Sequence, residues 1–296
     1  MAITVSSARR YDDVDVDYQK PGVGCVEEFL YDYSNLVGKT LVVKLGGSTL
    51  ENQQDVLQDL VWLQTRGVHP VLVHGGGPSI DTWLHLLHIP VHFERGLRVT
   101  DAQTLEVVCM VLRGQINEQL VVMLTKMGAK AVGLSGTDGS MVQAHIMDES
   151  LGLVGAIDAV DPTLLEEIIN DGYMPVIAPL GLSADGQCLN INADSVAAHI
   201  ADALHADQLI FLSNVTGICQ PDGSLIPTMS EQGVHQLIEQ GVIHGGMLPK
   251  VAACLDALNI VPSVRIIDGR QAHSLLRALC THQPLGTTIV REDARS

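Results

Sequence analysis

The chain has 296 residues, 46% of them apolar, which is enough to bury a sizeable core in one large domain or two of ordinary size. Aromatic residues make up only 3%, so that core must be aliphatic, and 17 Lys and Arg against 34 Asp and Glu leave a net charge of −17, which excludes a surface built for nucleic acid or an anionic membrane. The six cysteines are scattered without a CxxC, the N-terminus lacks an apolar stretch of signal-peptide length, and no apolar run reads as long enough to span a bilayer, a pattern that predicts a cytoplasmic protein with reduced, mostly buried thiols.

Residues 1–20 are polar, with Asp12, Asp13, Asp15 and Asp17 close together, and read as a mobile tail. Val26, Phe29, Leu30, Tyr33 and Leu36 follow helical spacing between Gly24 and Gly38, predicting a helix from Cys25 to Leu36 ahead of the first core strand. Gly38-Lys39-Thr40 mimics the end of a Walker A loop, but Tyr33 stands where its first glycine is required. Leu41, Val42, Val43 and Leu45 then suit a strand covered on both faces, stopping at Gly46 and Gly47 with Lys44 just before them. Strand, glycine pair and lysine together suggest a phosphate site at the C-terminal edge of a parallel sheet; taken alone, the stretch fits a plain turn with a solvated lysine equally well.

A helix follows from Asn52 to Arg66. The strand Val71-Leu72-Val73 ends in His74-Gly75-Gly76-Gly77-Pro78, where Pro78 is placed to begin a helix. This forms a second anion-binding turn, and His74 by itself reads as structural. Thr100 and Gln103 make a capping box for a helix carrying Leu105, Val108, Cys109, Leu112, Ile116, Leu120 and Met127, with a kink expected at Gly114. Arg98 could fork onto a carboxylate, although locally a surface salt bridge is the better reading.

Ala131 to Leu134 is a strand, and the short runs from Ser135 to Ala159 predict hairpins that could cover a site. A helix from Pro162 to Asn170 and a strand from Met174 to Ala178 lead to a lobe boundary at Pro179-Leu180-Gly181. Beyond it, a hairpin turns at Asp185-Gly186. Asn190-Ile191-Asn192-Ala193-Asp194 opens a helix, its polar residues serving as caps or organising a site. Leu209 to Leu212 is a strand. Gly245-Gly246-Met247-Leu248-Pro249-Lys250 introduces a helix whose first turn holds a lysine, an unfavourable place for a cation unless an anion binds there. Strands from Val264 to Ile267 and Thr287 to Val290 flank a helix from His273 to Cys280.

Six ordered motifs resemble the amino-acid kinase family: Val-Val-Lys-Leu-Gly-Gly (42–47), His-Gly-Gly-Gly-Pro (74–78), Gly-Leu-Arg-Val-Thr-Asp (96–101), Gly-Leu-Ser-Gly-Thr-Asp-Gly (133–139), Asn-Ile-Asn-Ala-Asp (190–194) and Gly-Gly-Met-Leu-Pro-Lys (245–250). The third and fifth are most similar to the branch whose acceptor is N-acetyl-L-glutamate. The resemblance implies an α/β fold, an αβα sandwich on a mainly parallel central sheet. It would comprise a tail and extra N-terminal helix (1–38), an N-terminal lobe for the acyl acceptor (39–179) and a C-terminal lobe for ATP (180–296). The implied reaction moves the γ-phosphoryl of Mg-ATP to the side-chain carboxylate of the acceptor, in arginine biosynthesis. Lys44 and Lys250 would contact the phosphoryl group and nucleotide phosphates, Asp194 would orient both lysines, and Gly47 and Gly76 would offer N–H groups to the transition state. Gly77 would help shape the acceptor site, and Arg98 and Asn190 would hold the α-carboxylate end of the acceptor. Gly46, Ser213, Asn214, Gly217, Gly245 and Gly246 would complete the nucleotide site. Mg²⁺ would ride on the ATP phosphates without a protein cage.

The family often has aspartate where this chain has Asn214. The helix at 25–36 resembles the extra N-terminal helix of the family's arginine-inhibited, hexameric members, but their C-terminal arginine site, a glutamate and a Gly-x-Gly-Thr turn, is matched here by Ala278 and Pro284-Leu285-Gly286-Thr287. A homo-oligomer, a dimer or a hexamer built through that helix, with weak or altered arginine feedback is therefore expected. A kinase of an aminoadipate-type acceptor and a non-catalytic sensor are the alternative readings. A dinucleotide-dependent dehydrogenase lacks its GxGxxG.

Overall fold

Short aliphatic runs punctuated by glycine become strands, and the amphipathic stretches between them become the covering helices. The computed structural model describes residues 32–46, 53–220, 222–281 and 285–291, all within the compact unit that begins at Tyr31. In chain order the elements are β1 (Thr40–Leu45), α1 (Gln54–Gln64), β2 (His69–His74), α2 (Gly77–Leu86), β3 (Phe93–Glu94), β4 (Leu97–Arg98), α3 (Ala102–Cys109), α4 (Glu118–Lys126), β5 (Ala131–Ser135), β6 (Val142–Ile146), β7 (Gly155–Val160), α5 (Thr163–Asn170), β8 (Met174–Ala178), β9 (Leu180–Leu182) and β10 (Cys188–Asn190). They continue with α6 (Ala193–Ala203), β11 (Gln208–Ser213), β12 (Thr228–Ser230), α7 (Glu231–Glu239), α8 (Leu248–Leu258), β13 (Ser263–Asp268), α9 (Ser274–Cys280) and β14 (Thr287–Val290).

Eight strands form one sheet in the order β12-β14-β13-β11-β1-β2-β8-β5. From β13 to β5 every neighbouring pair is parallel, and β14 runs antiparallel to β13. The chain builds outward from β1 through β2 on one side and later returns through β11 on the other. The C-terminal ends of β1, β2 and β11 therefore flank a reversal of strand order, where open α/β sheets form their binding crevice. A smaller sheet, β10-β9-β6-β7, contains the hairpin predicted between Ser135 and Ala159 and the one that turns near Gly186.

Strand parity decides which face each side chain meets. Leu41, Val43 and Leu45 enter one aliphatic core with Leu57, Leu60 and Leu275; Val42 enters the other with Val196, Ile200, Val251 and Cys254. Lys44 shares the face of Val42, so it points to the side covered by α6 and α8.

Several expectations are corrected. The N-cap of α3 is Asp101, which accepts from the Thr104 N–H at 2.8 Å. The Thr100 hydroxyl is unavailable for capping because it donates to the Arg98 carbonyl and accepts from Asn190. In place of a kink at Gly114, α3 and α4 join through a π-helical segment, Met110–Asn117, into one helix, Ala102–Lys126. That helix is long and apolar enough to cross a bilayer, a length hidden in the sequence because Arg113, Gln115 and Asn117 interrupt the apolar run. It buries Leu105, Val108, Leu112, Ile116, Leu120 and Leu124 in the core. Of the helix expected from Cys25 to Leu36, the part before Asp32 lies outside the described residues, and Ser34 to Gly38 is turn. Among the five described cysteines, all free, only Cys254 and Cys280 are fully buried.

Candidate active site

The site grows from the C-terminal end of β1. Lys44 Nζ lies 2.8 Å from Asp194 Oδ1, with the two side chains 15% and 25% exposed. Asp194 belongs in the first turn of α6 for two reasons. A carboxylate is favoured by the helix dipole there, and the Asn192 N-cap accepts the Asp194 N–H at 2.7 Å. Lys250 sits in the first turn of α8 and makes no ion pair among the described residues, so Asp194 holds Lys44 alone. Burial and the Arg270 guanidinium hold the Lys250 ammonium below the usual lysine range. Sequence reasoning passed over Arg270. It follows β13, and through Nε and Nη2 it grips Asp268, whose carboxyl it holds below the usual range. The Asp-Gly-Arg run directly after a strand was the available signal.

The turns that leave the strands are tied to one another. The Gly75 N–H donates to the Leu45 carbonyl at 3.0 Å, and the Gly269 N–H to the Ser213 carbonyl at 2.8 Å. Gly46 ends β1; Gly47 lies outside the described residues. Gly76 is buried, and a Cβ there would stand 2.6 Å from both Ile116 Cδ1 and Leu112 Cδ2, so any larger residue must push these two packed side-chain ends aside. His74 is fully buried and structural, as its sequence context suggested. Asn117 Nδ2 donates to the Val176 carbonyl at 2.8 Å and meets His74 Nε2 at 3.1 Å, which makes Nε2 the acceptor; Nδ1 faces the Gly75 carbonyl at 3.0 Å. Burial pushes the His74 imidazole down to about 4, so it is neutral near pH 7.

A second group of polar residues lies beyond this turn. Arg98 is buried, which corrects the surface-salt-bridge reading: Nη1 donates to Asp81 Oδ1 at 2.7 Å, Nη2 to the Gly77 carbonyl at 3.3 Å, and the guanidinium lies 4.8 Å from the Phe93 ring. Asn190 Nδ2 reaches Thr100 Oγ1 at 3.1 Å, and Thr100 in turn bonds the Arg98 carbonyl. Gly77, Arg98 and Asn190 are thus one connected cluster, and Asp81 and Thr100 are the members that the sequence did not reveal. Ser135, Thr137 and Asp138 of the 133–139 motif gather around the Arg113 guanidinium.

On the other side of β1, the Ser213 hydroxyl is buried and has no hydrogen-bond partner among the described residues. Asn214 is exposed, and Gly217 is buried at φ +127° with its Cα facing Leu225 and Thr287. Gly245, at φ +56°, and Gly246 are exposed with open space around them, just before α8. An orphaned hydroxyl, exposed glycine backbone and an uncompensated lysine suit a polyphosphate. Among the described residues no three metal-ligating side chains converge.

Residues 39–268 match the model of the amino acid kinase family. The chain is 43% identical over 280 residues to the acetylglutamate kinase of Desulforamulus reducens, covering 91% of this chain and 97% of that one. It is 46% identical over 261 residues to the chloroplastic acetylglutamate kinase of Arabidopsis thaliana, covering 85% and 75%. Among solved structures, N-acetylglutamate synthase from Neisseria gonorrhoeae, complexed with coenzyme A and N-acetyl-glutamate, superposes with a TM-score of 0.76 at 28% identity. The alignment covers 88% of this chain and spans only 61% of the synthase. Carbamate kinase from Giardia lamblia shares the fold alone, with a TM-score of 0.63 at 16% identity over 86% of this chain and 99% of that one. The chain belongs to the amino acid kinase family.

Proposed function

We propose that the chain transfers the γ-phosphoryl group of ATP to the side-chain carboxylate of N-acetyl-L-glutamate, giving N-acetyl-L-glutamyl phosphate in arginine biosynthesis. The observation that carries this reading is the Lys44–Asp194 pair seated where the strand order reverses, between the Arg98–Asn190 cluster and the orphaned Ser213 hydroxyl. The acceptor carboxylate is ionised at neutral pH, so no general base is needed. Catalysis becomes a matter of aligning two anions and stabilising the charge on the phosphoryl group in transit. Lys44, fixed by Asp194, faces that group from β1, and Lys250 faces it from α8. The Gly76 N–H, and Gly47 beyond the described residues, supply further donors. Arg98 holds the α-carboxylate of the acceptor, Asn190 a neighbouring polar group, and Gly77 the wall of the pocket.

Residues 39–179 form the acceptor lobe and 180–296 the nucleotide lobe; Gly46 from the first and Ser213, Asn214, Gly217, Gly245 and Gly246 from the second surround ATP. Mg²⁺ carried on the ATP phosphates would neutralise part of their charge, with no protein cage to hold it. The free cysteines fit a reducing, cytoplasmic setting. Exposed Leu86, Leu87 and Met110 fit a homo-oligomer, which light scattering on the full chain would measure. The decisive experiment couples ADP release to hydroxylamine trapping of the acyl phosphate. N-acetyl-L-glutamate, glutamate and N-acetylaminoadipate are compared as acceptors. Turnover with the first alone is expected; none with any acceptor, despite ATP binding, would overturn the reading in favour of a sensor.

A further inference from the structure

Two thiols lie against each other at the edge of the proposed acceptor pocket. Cys109 ends α3 and Cys188 begins β10, 79 residues away, yet their Sγ atoms are 3.6 Å apart. Both residues are half-buried, whereas Cys254 and Cys280 are closed off. Cys188 stands two residues before Asn190 on the same three-residue strand. Arg113 follows Cys109 by one helical turn.

We propose that Cys109 and Cys188 are a redox-responsive pair whose oxidation to a disulfide repositions β10, and with it Asn190. The consequence for Asn190 rests on the acceptor reading above; the thiol chemistry does not. The two sulfurs are unequal. Either sulfur can donate in their shared contact and the Arg113 charge favours a thiolate at both, but Arg113 lies on the same helix as Cys109, one turn on, and holds Cys109 below the usual thiol range. Cys109 is therefore the attacking thiolate. With a low-molecular-weight disulfide RSSR as oxidant, Cys109 Sγ attacks one sulfur, breaks the S–S bond and releases RS⁻, which takes up a proton. The Cys188 thiol then loses its proton, attacks Cys109 Sγ and expels the second RS⁻. The protein dithiol is oxidised, RSSR is reduced to two RSH, and atoms and electrons balance.

A disulfide requires the sulfurs to close from 3.6 Å to about 2 Å. Helix α3 is capped at Asp101 and continuous with the π segment. Strand β10 has three residues and is held beyond Cys188 by the Asn190 N–H to the Leu153 carbonyl and by Asn190 Nδ2 to Thr100. The strand is the partner that gives. Displacing Asn190 weakens one polar contact to the acceptor, which corresponds to roughly a tenfold change in affinity.

The test treats the full chain with oxidised glutathione, alkylates remaining thiols and maps the peptides by mass. A Cys109–Cys188 cross-link lacking two hydrogens (about 2 Da) and reversed by dithiothreitol is expected. Cys188→Ser should instead trap glutathione on Cys109. In parallel, the KM for N-acetyl-L-glutamate should rise about tenfold on oxidation, with Cys109→Ser unresponsive. Recovery of both cysteines as free thiols, or of each as a separate mixed disulfide, would overturn the pair. A cross-link that leaves KM unchanged would overturn its coupling to β10. The mass readout needs no turnover, so it still decides the thiol chemistry if the proposed reaction fails.

Discussion

Replacing Lys44 with methionine tests the centre of the proposed mechanism, because it keeps the length of the side chain and removes the charge. Unit charges about 4 Å apart attract by about 4 kcal/mol at an effective dielectric constant near 20. The phosphoryl charge is spread over three oxygens and the Lys44 side chain is 15% exposed, so about 3 to 4 kcal/mol of transition-state stabilisation is the expected loss, a fall of about 10² to 10³ in kcat. Stability should hardly change. The Asp194 carboxylate left behind is 25% exposed and can recruit water, so the variant should lose less than about 1 kcal/mol. Single-turnover acyl-phosphate trapping, with a thermal melt on the same sample, separates the two effects. A kcat within about threefold of the parent would refute the role given to Lys44.

Arg98→Ala should raise the KM for N-acetyl-L-glutamate at least tenfold, since a charge-assisted hydrogen bond is worth roughly 1.5–3 kcal/mol, and leave the KM for ATP alone; the reverse pattern would move Arg98 out of the acceptor site. Gly76→Ala would press a Cβ to 2.6 Å from Leu112 and Ile116 and should cost about 1–3 kcal/mol in urea denaturation, part of it recovered when Leu112→Ala is added; an unchanged midpoint would mean the turn has room. His74 gives the fold an acid-sensitive step. Its folded value is down at about 4 and its unfolded value is about 6.5, so the unfolded chain binds the extra proton between them. The stability His74 contributes is full above the unfolded value and is lost as pH falls towards the folded one, by about 3 kcal/mol in all; His74→Asn should show a shallower loss of urea midpoint between pH 7 and 5, and equal slopes would reject this. Arginine should inhibit weakly, because buried Ala278 on α9 offers no carboxylate to a guanidinium; potent inhibition in an activity titration would sink that expectation.

The parts of the fold that follow from local periodicity were legible. Seven of the eight strands in the large sheet, the glycine turns and the lysine after Gly246 all announce themselves within ten residues of sequence, whereas β12 and the helix α7 behind it were not anticipated. What local pattern cannot carry is the identity of a polar partner far along the chain. Arg98 looked like a surface residue because its carboxylate, Asp81, lies on another element and its burial depends on Phe93 and Gly77. The box at Thr100 was plausible, yet its hydroxyl is claimed by Asn190 from 90 residues away, and the neighbouring Asp101 took over the cap. No sequence signal marked the π segment, although Gly114 drew attention to the right turn of helix. The Cys109–Cys188 contact was equally invisible, since it joins a helix and a strand 79 residues apart.

A net charge of −17 is reconciled with anionic substrates at the level of individual pairs. An acidic protein that binds two anionic substrates must hold cations in place without cancelling them. Lys44 is matched by Asp194, Arg270 by Asp268 and Arg98 by Asp81, so each is oriented at a modest electrostatic cost. Lys250 has no carboxylate partner among the described residues, lies at a helix N-terminus that disfavours it, and feels Arg270 nearby. The unrelieved charge sits on α8, opposite the one fixed on β1. On the proposed assignment of Lys250 to the nucleotide, an incoming polyphosphate would relieve both the repulsion and the unfavourable dipole at once, and part of its binding energy would come from the electrostatic cost that the folded chain already carries at that helix.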